Sequence, residues 1–357
     1  HFWENNNNKL LLALLWSAPV LIYLIYLGDL AHLKHSLEDY FAFLTLLFAL
    51  FVISGGILIE GDLEGTPKIN SIMLLIGAIL ANILGTTGAS VLLIRPLLRT
   101  NQERRHTTHI VVFFIFLVSN IGGCLLPLGD PPLFLGYLKG VPFFWTLNLV
   151  LPWITTVLIV LTTFYIFDTI AYKKESLENI QKDLAQIERI KIHGAINLVW
   201  IVGVMLTVML ITPTFLSKIG IEHGPLKFLR EYILFLFAGL SILTTPLSSK
   251  ERIKNNFTFA PILEVAYLFI GIFITMIPAL ELLKEKSTEF GITLPWQFFW
   301  ATGSLSSVLD NAPTYLSFLA LAQGLAIATP DLYSISPSLE HISTPDKLLY
   351  AISIGAV

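Results

Sequence analysis

Two aspartates stand beside helix-breaking prolines inside apolar stretches of the sequence, and their positions favour a role in chemistry. Asp130 lies in the run Gly-Asp-Pro-Pro at 129–132, and Asp310 lies in Leu-Asp-Asn-Ala-Pro at 309–313. An aspartate at the middle of a membrane helix costs about 2.5–3.5 kcal/mol on insertion scales. A protein keeps such a group where it faces a cavity, pairs with another group or binds a cation. The alternative is that each aspartate caps the helix that follows it.

Hydroxyl and amide side chains accompany both aspartates. Carboxylate, amide, hydroxyl and backbone carbonyl oxygens are the ligands that a hard alkali cation needs. A third polar break, Gly-Thr-Thr-Gly at 85–88, has no acid and is equally well explained as a hairpin turn. Glu264 is a further intramembrane acid, for which snorkelling to the headgroups is the alternative. The candidate ion-binding residues are Asp130, Asp310, Ser119, Asn120, Asn311, Thr314, Asn82, Thr86, Thr87, Ser306, Ser307 and Glu264, with Asp130 and Asp310 as candidate Na⁺ ligands.

The composition restricts the class of protein that could use these residues. Of the 357 residues, 55% are hydrophobic and only 13% are charged, with a net charge of −3. Soluble domains carry about 25% charged residues. The sequence therefore excludes a soluble globular enzyme, a disordered chain and a nucleic-acid binder, and predicts a polytopic α-helical membrane protein. No phosphate-binding loop motif is present, which disfavours ATP-driven pumping, and no cofactor is expected.

Apolar segments of spanning length alternate with two interrupted ones. The predicted spans are 10–27, 41–59, 108–127, 142–168, 193–212, 230–246 and 257–283. Segment 70–98 is broken at 85–88, and segment 296–325 is broken at 310–313. The arms of the first are about 18–21 Å long, too short for a hydrocarbon core of about 30 Å, so both segments are predicted to be re-entrant hairpins. Prolines 127, 131 and 132 predict a broken helix over 108–138.

Most of the 22 Lys and Arg residues fall on one side if both hairpins return to the side from which they enter. That side is assigned to the cytoplasm, and the two hairpins then enter from opposite sides. This arrangement predicts two inverted-topology repeats, typical of secondary transporters. Residues 1–169 form the first repeat, 170–192 a charged linker interpreted as a solvated cytoplasmic helix, and 193–357 the second. The ends at His1 and Val357 indicate a fragment, with the second broken helix truncated.

Three runs carry a family resemblance. They are Gly-Thr-Thr-Gly-Ala-Ser-Val-Leu-Leu-Ile-Arg-Pro at 85–96, the segment 118–136 around Gly-Asp-Pro-Pro, and Ser-Ser-Val-Leu-Asp-Asn-Ala-Pro-Thr-Tyr at 306–315. Together they resemble the NhaD-type sodium/proton antiporters, which belong to the ion transporter superfamily with citrate, dicarboxylate and arsenite carriers. The resemblance implies inverted repeats, each with a hairpin and a broken helix, and exchange of Na⁺ or Li⁺ for H⁺. By that resemblance Asp130, Asp310, Ser119, Asn120, Asn311 and Thr314 occupy the polar motif positions.

The leading hypothesis is that Asp130 and Asp310 line one cavity and bind Na⁺ and H⁺ competitively, so that alternating access exchanges the two ions without ATP. The alternative is an anion carrier for citrate, a dicarboxylate or arsenite, because half-helix N-termini attract anions. Two acids at the breaks would repel an anion unless cations bind first. A third class is a non-transporting membrane sensor or scaffold. The expected setting is the inner (cytoplasmic) membrane as a multi-pass protein, with the bilayer, Na⁺ or Li⁺ and H⁺ as partners, no nucleic acid, and a homodimer left open.

Overall fold

The fold is that of an all-α polytopic membrane protein, as the composition predicts. The computed structural model describes residues 5–221 and 224–356. Within those residues, six helical segments are long and apolar enough to cross a membrane, namely Asn6–Leu27, Leu30–Gly55, Pro67–Thr100, Thr108–Leu125, Phe143–Tyr172 and Ala260–Glu285. His1 and Val357, at which the predicted repeats begin and end, lie outside the described residues.

The helices follow one another with few strands between them. The α-helices of the described residues are α1 Asn6–Leu27, α2 Leu30–Gly55, α3 Pro67–Thr100, α4 Thr108–Leu117, α5 Pro131–Leu138, α6 Val150–Tyr172, α7 Leu177–Ala185, α8 Ile196–Leu210, α9 Pro213–Lys218, α10 Leu229–Thr244, α11 Lys250–Lys254, α12 Ala260–Glu285, α13 Pro295–Ser306, α14 Asn311–Ala328 and α15 Asp346–Ala356. Strands β1 (Leu58–Asp62) and β2 (Glu188–His193) form an antiparallel pair.

Several predicted spans differ in length from the helices that form. Segments 193–212 and 230–246 become α8 and α10, which have only 15 and 16 residues. In predicted span 108–127 the α-helix ends at Leu117. The chain then forms a 3₁₀ turn over Ile121–Leu125, which contains two adjacent glycines. The polar segment before predicted span 41–59 is helical, since α2 already begins at Leu30.

The charged linker is not a single helix. Only Leu177–Ala185 is helical between α6 and β2, while Glu188–His193 pairs with β1, Ile59 facing Ile192 and Glu60 facing Lys191. The sequence of β2 alternates isoleucine with charged residues, which is the period of a strand rather than a helix. Lys250 and Lys254 hold Glu60 of β1 by ion pairs, and their hydrogen bonds lower the pKa of that carboxyl to about 2.

The chain folds into two compact units, each assembled from separate stretches. Unit 1 comprises residues 1–47, 131–149 and 258–357. In it α1 packs on α12, where a Cβ at Gly271 would lie 2.9 Å from the Ala13 Cβ. Phe43 of α2 stacks on Phe269 of α12 with ring centroids 4.9 Å apart. Helix α14 packs against α5, α12, α13 and α15 and carries much of the buried apolar surface of this unit.

Unit 2 comprises residues 48–130 and 150–257. It contains α3, α4, α6, the β pair, and the helices from α7 to α11. Arg252 of α11, almost fully buried, donates hydrogen bonds to the carbonyl oxygens of Val52 (2.7 Å) and Thr245 (2.8 Å) and to Ser241 Oγ (2.8 Å). This guanidinium therefore satisfies carbonyls at the C-terminal ends of α2 and α10, which helix geometry leaves without an intrahelical donor.

Candidate functional site: the interrupted helices

Helix α3 is a hairpin of two helical arms, 67–84 and 86–100, which meet at Gly85. Gly85 has φ 76° and ψ 154°, a conformation that a residue with a side chain rarely adopts. The two ends of the hairpin return to each other, because Asn70 and Asn101 exchange two side-chain hydrogen bonds of 2.9 and 2.8 Å. The predicted break at 85–88 is therefore present. Its re-entrant placement in a bilayer stays a prediction.

The tip of this hairpin lies against the interruption of the broken helix. The backbone amide of Thr86 donates to the carbonyl oxygen of Gly129 at 2.8 Å. The amide of Leu125 donates to Asn82 Oδ1 at 2.7 Å, so this buried side chain replaces one of the lost helical acceptors. Ser119 Oγ lies 2.8 Å from Ser90 Oγ on the second arm. Three predicted residues, Asn82, Thr86 and Ser119, thus come together in unit 2.

Glycines make this close approach possible. A Cβ on Gly129 would lie 2.1 Å from the carbonyl oxygen of Gly123, and one on Gly123 would lie 2.5 Å from that of Gly129. The two backbone segments that flank the break therefore touch directly. Asp130, which follows Gly129, is buried with 4% of its surface exposed. The predicted candidates Thr87 and Asn120 are exposed at the edge of the same cluster.

The base of the hairpin is held by a buried polar network. Asp168 of α6 is fully buried and accepts hydrogen bonds from Asn70 Nδ2 (2.9 Å) and from Arg104 Nη2 (2.5 Å). His109 Nε2 of α4 lies 2.9 Å from the same carboxylate. Arg104 also donates to the carbonyl oxygen of Gly65 at 3.0 Å. This network fixes the hairpin base against α4 and α6.

The second hairpin, in unit 1, consists of α13 and α14. Asp310 is the N-cap of α14 and accepts the amide of Ala312 at 2.9 Å, as the capping alternative predicts. Thr314 Oγ1 donates to the carbonyl oxygen of Asp310 at 2.9 Å. Ser307 Oγ donates to the carbonyl oxygen of Ser304 and Ser306 Oγ to that of Ala356, and Asn311 begins α14. Unlike Asp130, Asp310 is exposed.

Two half-helices pack together in unit 1 close to where each begins. The ring of Tyr315 lies against Gly136, at which a Cβ would be 2.4 Å from Tyr315 Oη. Gly136 is the sixth residue of α5 and Tyr315 the fifth of α14. The N-termini of both helices, which carry positive partial charge, therefore lie within about two turns of this contact. Asp130 and Asp310 directly precede the two helices in sequence. That these two carboxylates share one cavity stays a prediction.

Glu264 forms an ion pair outside these interruptions. Its Oε1 lies 2.7 Å from Nζ of Lys9, which is buried on α1. The pair joins α12 to α1. The structure therefore gives Glu264 a partner within the helix packing, while its predicted transport role stays a prediction.

Sequence reasoning missed the residues that hold the hairpin base and one residue of its tip. Asn101 and Arg104 are three residues apart, but Asn70 and Asp168 are distant from them in sequence, and no local pattern joins the whole set. The sequence pointed to one of these residues, because Asp168 is an acid within the predicted span 142–168, and acids inside membrane spans are functional or paired. Ser90 stands in the quoted run at 85–96, and its hydrogen bonds to Ser119 Oγ and to the carbonyl oxygen of Thr86 make it a member of the site.

These features define the class, a polytopic membrane protein built around interrupted helices. Residues 1–357, the whole chain, match a family model described as "Putative citrate transport". The chain belongs to that family and is thus a member of the ion transporter superfamily. Comparisons with curated proteins and with solved structures find no match.

Proposed function

We propose that the protein is a secondary transporter of a citrate-like carboxylate anion, moved together with a cation across the cytoplasmic membrane. The family match over the whole chain is the observation that carries this proposal. It favours the anion carrier, the alternative of the sequence analysis, over Na⁺/H⁺ exchange. The antiporter assignment therefore becomes the second candidate.

The packing of α5 on α14 supports an anion as the substrate. Each helix begins within two turns of the contact between Gly136 and Tyr315. Helix N-termini supply unpaired amides and positive partial charge, which are suited to a carboxylate. The hydroxyl groups of Thr314 and Ser307 donate to the carbonyl oxygens of Asp310 and Ser304, so they would serve a polycarboxylate only by exchanging these bonds for bonds to the anion.

The acids support a coupled cation. Asp130 and Asp310 precede the two helices, and alone they would repel an anion. A cation bound at either carboxylate offsets its negative charge, so cation binding would have to precede or accompany anion binding. The order of binding then couples the two fluxes without ATP. Alternating access would follow from movement of one part of the protein against the other.

Na⁺/H⁺ exchange is retained as the second candidate because of one observation. Asp130 is an acid buried beside a break lined by hydroxyl, amide and carbonyl oxygens, which are ligands suited to Na⁺ or Li⁺. In this candidate, protonation of Asp130 releases the ion, and no anion is needed.

Transport by purified protein in liposomes distinguishes the two. Labelled citrate uptake is measured with and without an imposed Na⁺ gradient and an imposed pH gradient, and internal pH is recorded after Na⁺ addition without citrate. The proposal expects an ion gradient to drive citrate uptake by the parent protein. In the Asp130→Asn variant, citrate uptake should no longer depend on that gradient. Glu178→Gln, on the exposed surface of α7, is the matched control. Na⁺-driven pH change without citrate uptake would replace the proposal with the second candidate.

A further inference from the structure

A cluster outside the interrupted helices joins the start of α2 to the end of α12 in unit 1. Gly28 ends α1 in the left-handed conformation with φ 73°, and the amides of Gly28 and Asp29 bond back to the carbonyls of Ile25 and Leu24. This cap sets Asp29 directly before α2. His32 follows one turn later, and its Nδ1 lies 2.7 Å from both carboxylate oxygens of Asp29. Glu281 Oε1 of α12 lies 3.3 Å from the same nitrogen.

The spacing of these atoms fits metal ligation. One ligand atom from each of Asp29, His32 and Glu281 lies within 4.8 Å of the other two. In a tetrahedral site with bonds of about 2.0–2.1 Å, neighbouring ligand atoms are about 3.3 Å apart. The 3.3 Å from His32 Nδ1 to Glu281 Oε1 matches that value. The 2.7 Å from His32 Nδ1 to Asp29 is a hydrogen-bond distance, so a bound ion would replace that bond and move the two groups slightly apart. With neutral His32 the three groups carry two negative charges, which a divalent cation neutralises.

The same helix face continues beside an open cavity. Asp29, His32, His35 and Asp39 recur at spacings of three, three and four residues, which places them on one face of α2. A cavity of about 340 Å³ is lined by three of these residues, His32, His35 and Asp39, together with Glu281 and Lys139. Lys139 Nζ is bound to Asp39 Oδ2 at 2.6 Å, so Asp39 is already neutralised. His32 and Glu281 reach the cavity wall, where water can complete the coordination of an ion.

We infer that Asp29, His32 and Glu281 form a binding site for a divalent transition-metal ion of the Zn²⁺ class. One imidazole nitrogen with two carboxylate oxygens is a ligand set that suits Zn²⁺ or Co²⁺, whereas Mg²⁺ and Ca²⁺ prefer oxygen ligands alone. The bound ion crosslinks the beginning of α2 to the end of α12. The inference is independent of the substrate that the protein transports.

Co²⁺ binding to purified tag-free protein in detergent tests the site. Titration with CoCl₂ near neutral pH is followed by the visible absorption of tetrahedral Co²⁺ and by calorimetry, without citrate. One equivalent is expected to bind and to be displaced by Zn²⁺. His32→Gln, Asp29→Asn and Glu281→Gln should each weaken binding about 10-fold or more. All three side chains are at least partly exposed, so the variants are expected to fold.

His106→Gln is the matched control, because His106 Nδ1 lies 3.2 Å from a single carboxylate, that of Glu175. It should bind Co²⁺ as the parent protein does. Absence of saturable binding to the parent, or equal binding by the parent and the His32 and Glu281 variants, would overturn the inference. In that case His32 serves only as a hydrogen-bonded bridge between the two carboxylates.

Discussion

The backbone amide of Thr86 donates a 2.8 Å hydrogen bond to the carbonyl oxygen of Gly129. This bond joins the first residue of the second hairpin arm to the residue directly before Asp130. The position of the hairpin tip and the conformation of the break are thereby linked. Any movement of the tip must either carry the backbone at Gly129 with it or break this bond.

Gly129→Ala is expected to abolish or strongly reduce transport. Its Cβ would lie 2.1 Å from the carbonyl oxygen of Gly123, a backbone atom that cannot move without altering the break. Overpacking of this kind costs about 1–3 kcal/mol. Uptake into liposomes and the thermal midpoint in detergent measure the two effects. Gly239→Ala is the matched control, because among the described residues nothing beyond its chain neighbours and the nearby backbone of its own helix lies within 4 Å of the added Cβ. Equal transport by the two variants would contradict the prediction.

The sequence predicted the interruptions well because their causes are local. Gly85 breaks α3, and Asp310 caps α14 where the Leu-Asp-Asn-Ala-Pro run placed the break. The family model likewise matches along the whole chain and supports the superfamily that the polar runs indicate. It favours citrate-type carriers within that superfamily, a distinction that depends on substrate chemistry and that no single motif fixes.

Features that depend on distant partners could not be predicted. Strand β2 forms only because β1, more than 120 residues earlier, offers it an edge. Glu264 gained a partner because α1 brings Lys9 to it. The sequence does not predict the cluster of Asp29, His32 and Glu281, because Glu281 comes from another helix. In each case the decisive contact is made by packing rather than by spacing along the chain.

Asp168→Asn is expected to destabilise unit 2 by about 3–5 kcal/mol, because the buried guanidinium of Arg104 loses its counter-ion. Unfolding in detergent, followed by the thermal midpoint, measures the change. Hydrogen exchange should also increase around Asn70 and Asn101, since Asp168 holds the hairpin base that they close. Glu178→Gln removes an exposed pair with Lys182 on α7 and should leave both measurements unchanged. An Asp168 variant as stable as this control would refute the role of the network.

Arg252→Met is expected to lower the thermal midpoint without adding bulk. The substitution leaves the carbonyls of Val52 and Thr245 and the hydroxyl of Ser241 without their donor. Each buried acceptor left unpaired costs about 1–3 kcal/mol. Arg189→Met, on the exposed surface of β2, is the control and should have little effect. A midpoint equal to that of the control would show that the buried guanidinium contributes nothing to stability.

Asp62→Asn is expected to stabilise the protein at neutral pH but not in acid. Burial, followed by the nearby carboxylates of Glu103 and Asp183, raises the pKa of Asp62 from 3.8 to about 6. Between these values the folded state binds more protons than the unfolded state, so stability falls as pH rises from about 4 to 6 and the loss is complete above 6. The variant lacks this ionisation and should unfold at a higher temperature than the parent above pH 6. The difference should shrink towards zero as pH is lowered to about 4, where Asp62 is neutral in both states. Thermal midpoints of both proteins over this pH series test the prediction, and a difference that does not change with pH would contradict it.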